Sequence, residues 1–273
     1  MNRRSLFIVA SVVLGVLGLG STTMAVPTYE IIHQGNNNPQ DEGWRGIDIV
    51  ASTQTEFGLP RAGVGPITDG GVEAWQIDDG PSIPSDTTAY WASGIGSGRT
   101  LADNYWKFTV RVKALPSDGS ANARLNSAFQ VMAYTQTYFG TSLGLAWRIT
   151  LEDLPGDGTR ILADGNTGNP VDLMVDDGYH WLDLIYVPGQ RATLYVDGQL
   201  VQSDVRYRSI SPAGNRVEFG DLILVNGGDG GGNWAYAYFG YDENEPFSPT
   251  VIPEPASLTL LSLCGLGLID RKR

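Results

Sequence analysis

Residues 106–113, Trp-Lys-Phe-Thr-Val-Arg-Val-Lys, alternate apolar and polar side chains without a break. A period of two puts Trp106, Phe108, Val110 and Val112 on one face and Lys107, Thr109, Arg111 and Lys113 on the other, the pattern of a half-buried strand. Leu143, Leu145, Trp147, Ile149 and Leu151 repeat it, with Arg148 and Thr150 opposite, and so do Ala192, Leu194 and Val196. Asp197-Gly198 then supplies the two positive-φ positions of a tight hairpin turn. Further strands are expected at Val72–Asp78, Ser127–Thr135, Tyr179–Val187, Arg216–Val225 and Trp234–Tyr241, separated by clusters rich in Pro, Asp and Gly. Between Val26 and about Phe247 no segment sustains a helical period, and only Leu101–Tyr105 suits a helical turn. The chain is therefore expected to be all-β, one sandwich of two antiparallel sheets, with no internal repeat or inner boundary.

Composition narrows the function classes. The 273 residues carry a formal net charge of −12, the wrong sign for a surface that must displace counterions from nucleic acid. The single cysteine, Cys264, cannot build a disulfide framework. At 42% hydrophobic and 10% aromatic residues, the chain holds too much apolar material for disorder.

The two ends read as addresses. Arg3 and Arg4 precede an apolar run from Leu6 to Gly20 and then Thr23-Met24-Ala25, the order of a secretory signal peptide with cleavage expected after Ala25. At the other end Pro253-Glu254-Pro255 is followed by an apolar stretch, Leu258 to Ile269, and by Asp270-Arg271-Lys272-Arg273. This order resembles the PEP-CTERM sorting signal of bacteria that make extracellular polysaccharide. The resemblance implies transient membrane association through the tail, with the basic cluster cytoplasmic, and an exosortase-type enzyme as partner that recognises Pro253, Glu254 and Pro255 and removes the tail. The implied destination is the cell surface or extracellular matrix. The apolar run, about 12 residues, is shorter than a ~20-residue span, and Asp270 departs from the family pattern. Loss of both ends would remove five cations and two anions and take the net charge from −12 to −15. The segments are thus 1–25 signal peptide, 26–245 sandwich domain, 246–252 linker and 253–273 sorting tail.

The stretch 176–201, with His180-Trp181, an apolar strand, a Pro-Gly turn and Leu194-Tyr-Val-Asp-Gly198, resembles the central hairpin pair of concanavalin A-like (laminin-G-like) jelly-roll domains. Tyr29–Trp44 and Val72–Asp78 resemble the opening strands, and Val217–Asp221 and Asn233–Tyr236 the closing ones. Such a fold hosts many functions, so chemistry has to be read from residues.

No strand carries the Glu-x-Asp-x-(x)-Glu signature of laminarinases, and no Asp-box of sialidases is present. The nearest acidic run, Glu243-Asn244-Glu245, lies beside the linker as a solvated patch. There is no Gly-x-Ser-x-Gly elbow. The two histidines, His33 and His180, fit a turn-side hydrogen bond and a packed strand position better than a zinc site. Gly227–Gly232 lacks the Lys and Ser/Thr of a phosphate loop and reads as a hairpin tip. Asp78-Asp79 and Asp176-Asp177 each precede a glycine and are turn signals. Asp176 and Asp177 are also weak calcium candidates, and no other cofactor is implied.

Aromatic residues remain. In a regular strand Trp234, Tyr236 and Tyr238 share one face, where core packing explains them more simply than sugar stacking. Along Tyr179–Val187, His180, Leu182, Leu184 and Tyr186 form the more continuous apolar set and should enter the core. Tyr179, Trp181 and Asp183 then face outward, offering a ring to stack on a pyranose and a carboxylate for its hydroxyls. Arg111 and Arg148 join them if their strands share that sheet, or one of them forms a salt bridge with Asp183. The favoured expectation is a non-enzymatic, exported protein that binds extracellular polysaccharide or has a structural role in that layer. A glycan hydrolase or lyase with an unusual carboxylate pair, or a protein–protein adhesion module, is the alternative.

Overall fold

The computed structural model describes residues 28–50, 53–78, 87–95, 101–116, 127–134, 144–154, 156–163, 171–205, 208–210, 215–221 and 231–251. The leader 1–25 with Ala25, and the tail with Pro253, Glu254, Pro255, Arg271, Lys272 and Arg273, lie outside them, as do Asp79 and residues 227–230.

The strands run, in order, β1 (Tyr29–Gln34), β2 (Arg45–Val50), β3 (Thr53–Glu56), β4 (Val64–Asp69), β5 (Val72–Asp78) and β6 (Thr87–Gly94). After a short 3₁₀ turn at Leu101–Asp103 come β7 (Tyr105–Ala114), β8 (Ser127–Tyr134), β9 (Gly144–Leu154), β10 (Gly158–Ala163) and β11 (Asp172–Val175). The last are β12 (His180–Tyr186), β13 (Ala192–Val196), β14 (Gln199–Val205), β15 (Arg208–Ile210), β16 (Arg216–Gly220) and β17 (Gly231–Asp242). Among the described residues the expected all-β architecture is what forms, with the anticipated helical turn reduced to three residues.

Two antiparallel sheets result. One has the order β14-β13-β12-β7-β17-β5-β4, with β1 also pairing β17; the other runs β11-β10-β9-β8-β16-β6-β2-β3, with β15 on β9. The first strand and the long last one are thus neighbours, Tyr29 opposite Tyr241 and Gln34 opposite Tyr236. The β13–β14 hairpin turns at Asp197 (φ 49°) and Gly198 (φ 75°), as the Asp-Gly pair requires. Gly63 is equally constrained. Its φ is 72°, its carbonyl accepts from Asp78 N at 2.8 Å, and a Cβ there would fall 1.7 Å from Asp78 O.

The alternation of β7 points Trp106, Phe108, Val110 and Val112 into the space between the sheets, each 0% exposed. Aromatic rings from both sheets meet there. Trp106 of β7 lies edge-on to Trp147 of β9 at 5.2 Å, Phe219 of β16 contacts Trp234 of β17 at 5.1 Å, and Trp75 of β5 meets Trp91 of β6 at 6.1 Å. Among the described residues, the indole N–H groups of Trp75, Trp91, Trp106 and Trp234 are buried without a hydrogen-bond acceptor. Burial of their rings and contact with neighbouring aromatic rings offset that loss. Truncating one such ring to alanine costs about 3–5 kcal/mol.

One expected face is corrected. Trp234, Tyr236 and Tyr238 do not share a side of β17. The pairing with β7 shifts between Trp234, opposite Val112, and Tyr236, opposite Arg111. This bulge at Ala235 adds one residue and inverts the alternation. Trp234 faces the core at 0% exposure, while Tyr236 and Tyr238 face outward.

Candidate functional site

Six of the seven tryptophans are buried in or beside the core: Trp44, Trp75, Trp91, Trp106, Trp147 and Trp234, none more than 3% exposed. Trp181 is the exception, half-buried on the outer face of the eight-stranded sheet. Its orientation follows from β12, where Leu182, Leu184 and Tyr186 join the core cluster and the intervening side chains turn outward. The register Trp181–Arg111–Tyr236 runs straight across β12, β7 and β17, and Asp183–Thr109–Tyr238 forms the next row.

The rings and polar groups of these rows enclose a hollow of about 270 Å³ lined by Lys107, Thr109, Trp181, Tyr236, Tyr238 and Thr250. Trp181 and Tyr236 lie 5.3 Å apart with their planes at 57°, so they form two inclined walls. Burial, with the Glu30 carboxylate nearby, pushes the Tyr238 phenol up to about 12, and burial with Glu30 and Asp183 likewise raises Tyr236. Both hydroxyls therefore stay protonated at neutral pH and can donate as well as accept.

The floor is closed by a segment that the linear pattern assigned to a linker. Residues 246–251 lie across β7 and β12. Lys107 Nζ donates to Ser248 O at 2.9 Å and to Thr250 Oγ1 at 2.8 Å. Thr250 N donates to Asp183 Oδ2 at 2.5 Å, and Thr250 Oγ1 to Asp183 Oδ1 at 2.9 Å. Thr109 Oγ1 adds a bond of 2.6 Å to Asp183.

Asp183 faces away from the core as expected, but it is only 2% exposed, and both its oxygens are occupied. It is a structural anchor here, and a role in accepting sugar hydroxyls directly is corrected. Its ion-pair partner is Lys107, Nζ to Oδ1 3.3 Å, and neither arginine. Burial pulls the Lys107 amine below its ordinary value, and Asp183 partly offsets this.

Arg111 and Tyr179 do gather at Trp181. The Arg111 guanidinium carbon lies 5.5 Å from the Tyr179 ring centre and 5.8 Å from that of Trp181. Arg148 does not. It stands on β9, in the nine-stranded sheet, where its Nε donates to Gln130 Oε1 at 2.8 Å. Sequence periodicity fixes the face of a strand but not the sheet it joins, so the pairing of Arg148 with Trp181 is withdrawn.

That second outer face carries a buried polar row. Gln130 donates to Glu218 Oε2, and Arg216 Nε lies 2.6 Å from Glu218 Oε1. Burial raises the Glu218 carboxyl above its usual range, against the opposing effects of Arg216, Gln130 and Arg148. No sequence motif pointed to Glu218: Arg216 lies two residues before it on β16, but Gln130 comes from β8 and Arg148 from β9.

The histidines are held by carboxylates. His33, fully buried, has Nδ1 2.6 Å from Glu42 Oε2 and stacks on Phe219 at 5.6 Å. His180 has Nδ1 2.7 Å from Asp197 Oδ2 and Nε2 3.0 Å from Asp176 O. Burial disfavours the charged ring, but the Asp197 hydrogen bond, the Asp176 carbonyl and both carboxylates outweigh it and raise the His180 pKa. Asp176 Oδ1 accepts from Gly178 N at 2.8 Å, an Asx turn. Among the described residues no three His, Cys, Asp or Glu side chains come together as a metal cage.

No protein-family model and no curated protein matches the chain. Solved structures do. A conserved carbohydrate esterase from Shiga toxin-encoding bacteriophage phi24B aligns over 78% of this chain and 98% of its own, with a TM-score of 0.51 and 12% identity. The sandwich is a jelly roll. A prokaryotic β-1,3-1,4-glucanase (lichenase) from a mouse hindgut metagenome covers 78% of this chain and 98% of its own, at a TM-score of 0.40 and 14% identity. The binding domain of botulinum neurotoxin DC, in a complex with SialylT, covers 80% of this chain at a TM-score of 0.39 and 8% identity. This chain spans about half the length of that domain, 50%. At such identities the likeness is one of fold, not of activity.

Proposed function

We propose that this is an exported, non-enzymatic protein of the cell surface or extracellular matrix that binds polysaccharide in the hollow beside Trp181. The reading rests on one observation: the single tryptophan excluded from the core stands with Tyr236 and Tyr238 around an open hollow rimmed by hydroxyls and an amine. Inclined aromatic rings offer apolar faces to the C–H side of a pyranose, and the hydroxyls of Tyr236 and Tyr238 can exchange hydrogen bonds with its rim. The esterase and glucanase that share the fold, by their names, act on carbohydrate, which is compatible with this reading.

Export and sorting belong to the same proposal. The Arg3-Arg4 leader directs the chain outward, and an exosortase-type partner acts at Pro253-Glu254-Pro255. Calcium at Asp176 and Asp177 has little support, because Asp176 Oδ1 already accepts from Gly178 N and lies 3.2 Å from His180 Nε2.

A hydrolase or lyase reading has one observation in its favour, the raised carboxyl of Glu218, a property of general acids. The side chains that contact it, Gln130 and Arg216, and Arg148 beyond them, supply no second carboxylate for a glycosidase pair.

The test is a glycan array and calorimetry on the mature protein, with and without calcium. Trp181→Ala is expected to abolish binding while circular dichroism and Tm stay at wild-type values. Unchanged affinity in a folded variant would remove this face from consideration.

A further inference from the structure

Strand β7 presents three cations on the outer face of its sheet, and two have a carboxylate of their own. Lys107 Nζ is 3.3 Å from Asp183 Oδ1, and Lys113 Nζ is 2.8 Å from Asp69 Oδ2. Arg111, between them, has none within 4 Å among the described residues. Its electrostatic counterpart is Asp197, whose pKa Arg111 helps His180 and the Trp181 N–H to lower against the opposing effect of burial. Yet Asp197 is committed elsewhere, accepting from His180 Nδ1 at 2.7 Å and from Trp181 N at 2.9 Å.

Arg111 is also desolvated and fixed in place. Its Nε is buried without a hydrogen-bond partner, and its guanidinium is flanked by the rings of Tyr179 and Trp181 at 5.5 and 5.8 Å. A cation that has lost water at one donor and lies against two aromatic faces is pre-organised for a planar, bidentate acceptor. A sugar hydroxyl would leave its charge uncompensated. A carboxylate would not. The register places Arg111 on β7 between Trp181 and Tyr236, and its guanidinium lies against Tyr179 and Trp181, beside the hollow rather than among the residues that line it.

Building on the proposed sugar site, we infer that its ligand is an acidic polysaccharide, with a hexuronate ring on Trp181 and Tyr236 and its carboxylate on Arg111. A protein of net charge −12 repels polyanions in general, so a preference for an acidic polymer has to come from a local cation of this kind.

The test compares each acidic oligosaccharide with its neutral methyl ester, which has the same ring without the charge. Galacturonate, glucuronate and mannuronate oligomers and their esters are titrated by calorimetry into the mature protein, alongside a neutral β-glucan and a sulfated neutral glucan. Wild-type protein is expected to bind at least one acid about tenfold or more tightly than its ester, a difference of ~1.4 kcal/mol. Arg111→Gln should erase that difference between acid and ester. Arg111→Lys, which keeps the charge and loses the fork, should restore part of it, and both variants are checked by Tm. Equal affinity for acid and ester, persistence of the preference in a folded Arg111→Gln protein, or preference for the sulfated glucan would each overturn the inference. In those cases ester or β-glucan binding that is still lost in Trp181→Ala leaves the sugar site standing. Absence of binding to every sugar rejects both.

Discussion

At the scale of single residues, His180 shows how a strand position becomes a pH-sensitive tie. It holds the carboxylate of the β13–β14 turn through Nδ1 and the Asp176 carbonyl through Nε2. Its pKa in the fold is raised above the ordinary value of 6.5, so the folded state binds the proton more tightly than the unfolded chain. The resulting stabilisation is complete below about pH 6.5 and is lost as pH rises through the higher folded value. Chemical denaturation of wild-type protein between pH 6 and 9 should therefore show stability falling over that window. His180→Gln should flatten the decline, and an equal slope in the two proteins would mean that the Asp197 and Asp176 contacts do not favour the charged ring. Arg111 adds a smaller charge effect at the same turn, helping to lower the Asp197 pKa.

At the scale of elements, the segment after β17 is part of the fold. Ser248 and Thr250 cover Lys107, Thr109 and Asp183, which are 8%, 2% and 2% exposed although they lie on the polar face of their strands. Four hydrogen bonds to a buried ion pair join the segment to the sheet. Each such bond is worth roughly 0.5–1.5 kcal/mol net, so ending the mature chain at Glu245 instead of Thr250 should cost about 2–6 kcal/mol. The matching fall in Tm is roughly 4–24 °C for a domain of this size. Thermal melts of the two forms measure it directly, and identical Tm values would show that the segment contributes nothing to stability. The bulge at Ala235 has a comparable local effect on β17: it keeps Trp234 in the core and turns Tyr236 and Tyr238 out to the hollow.

At the scale of the whole molecule, the domain closes by bringing its first and last strands together, so both termini emerge from the same sheet. The proposed processing acts at these termini. Intact-mass analysis of the surface-associated protein should find a chain that starts at Val26 and has lost Arg271, Lys272 and Arg273. A mature protein that retains Arg273 would refute removal of the tail. Under that proposal the only cysteine leaves with the tail, so no disulfide contributes to the mature fold, whose core holds six buried tryptophans.

The local code determined strands and faces. Alternation in 106–113 and 180–186 gave the core and outer sides of β7 and β12 directly, because successive side chains of a strand must point in opposite directions. Asp197-Gly198 gave the hairpin, because few other residue pairs tolerate positive φ twice. Tertiary structure decided what no period of two can encode. Arg148 and Arg111 read alike in sequence, yet hydrogen bonding between distant strands put them in different sheets. Tyr236 left the face of Trp234 because one extra residue in β17 was accommodated against β7. Asp183, an exposed acid by its pattern, is enclosed by Thr250, a residue 67 positions away. Contacts of that span depend on where the folded chain returns, so the identities of the nearby residues do not specify them.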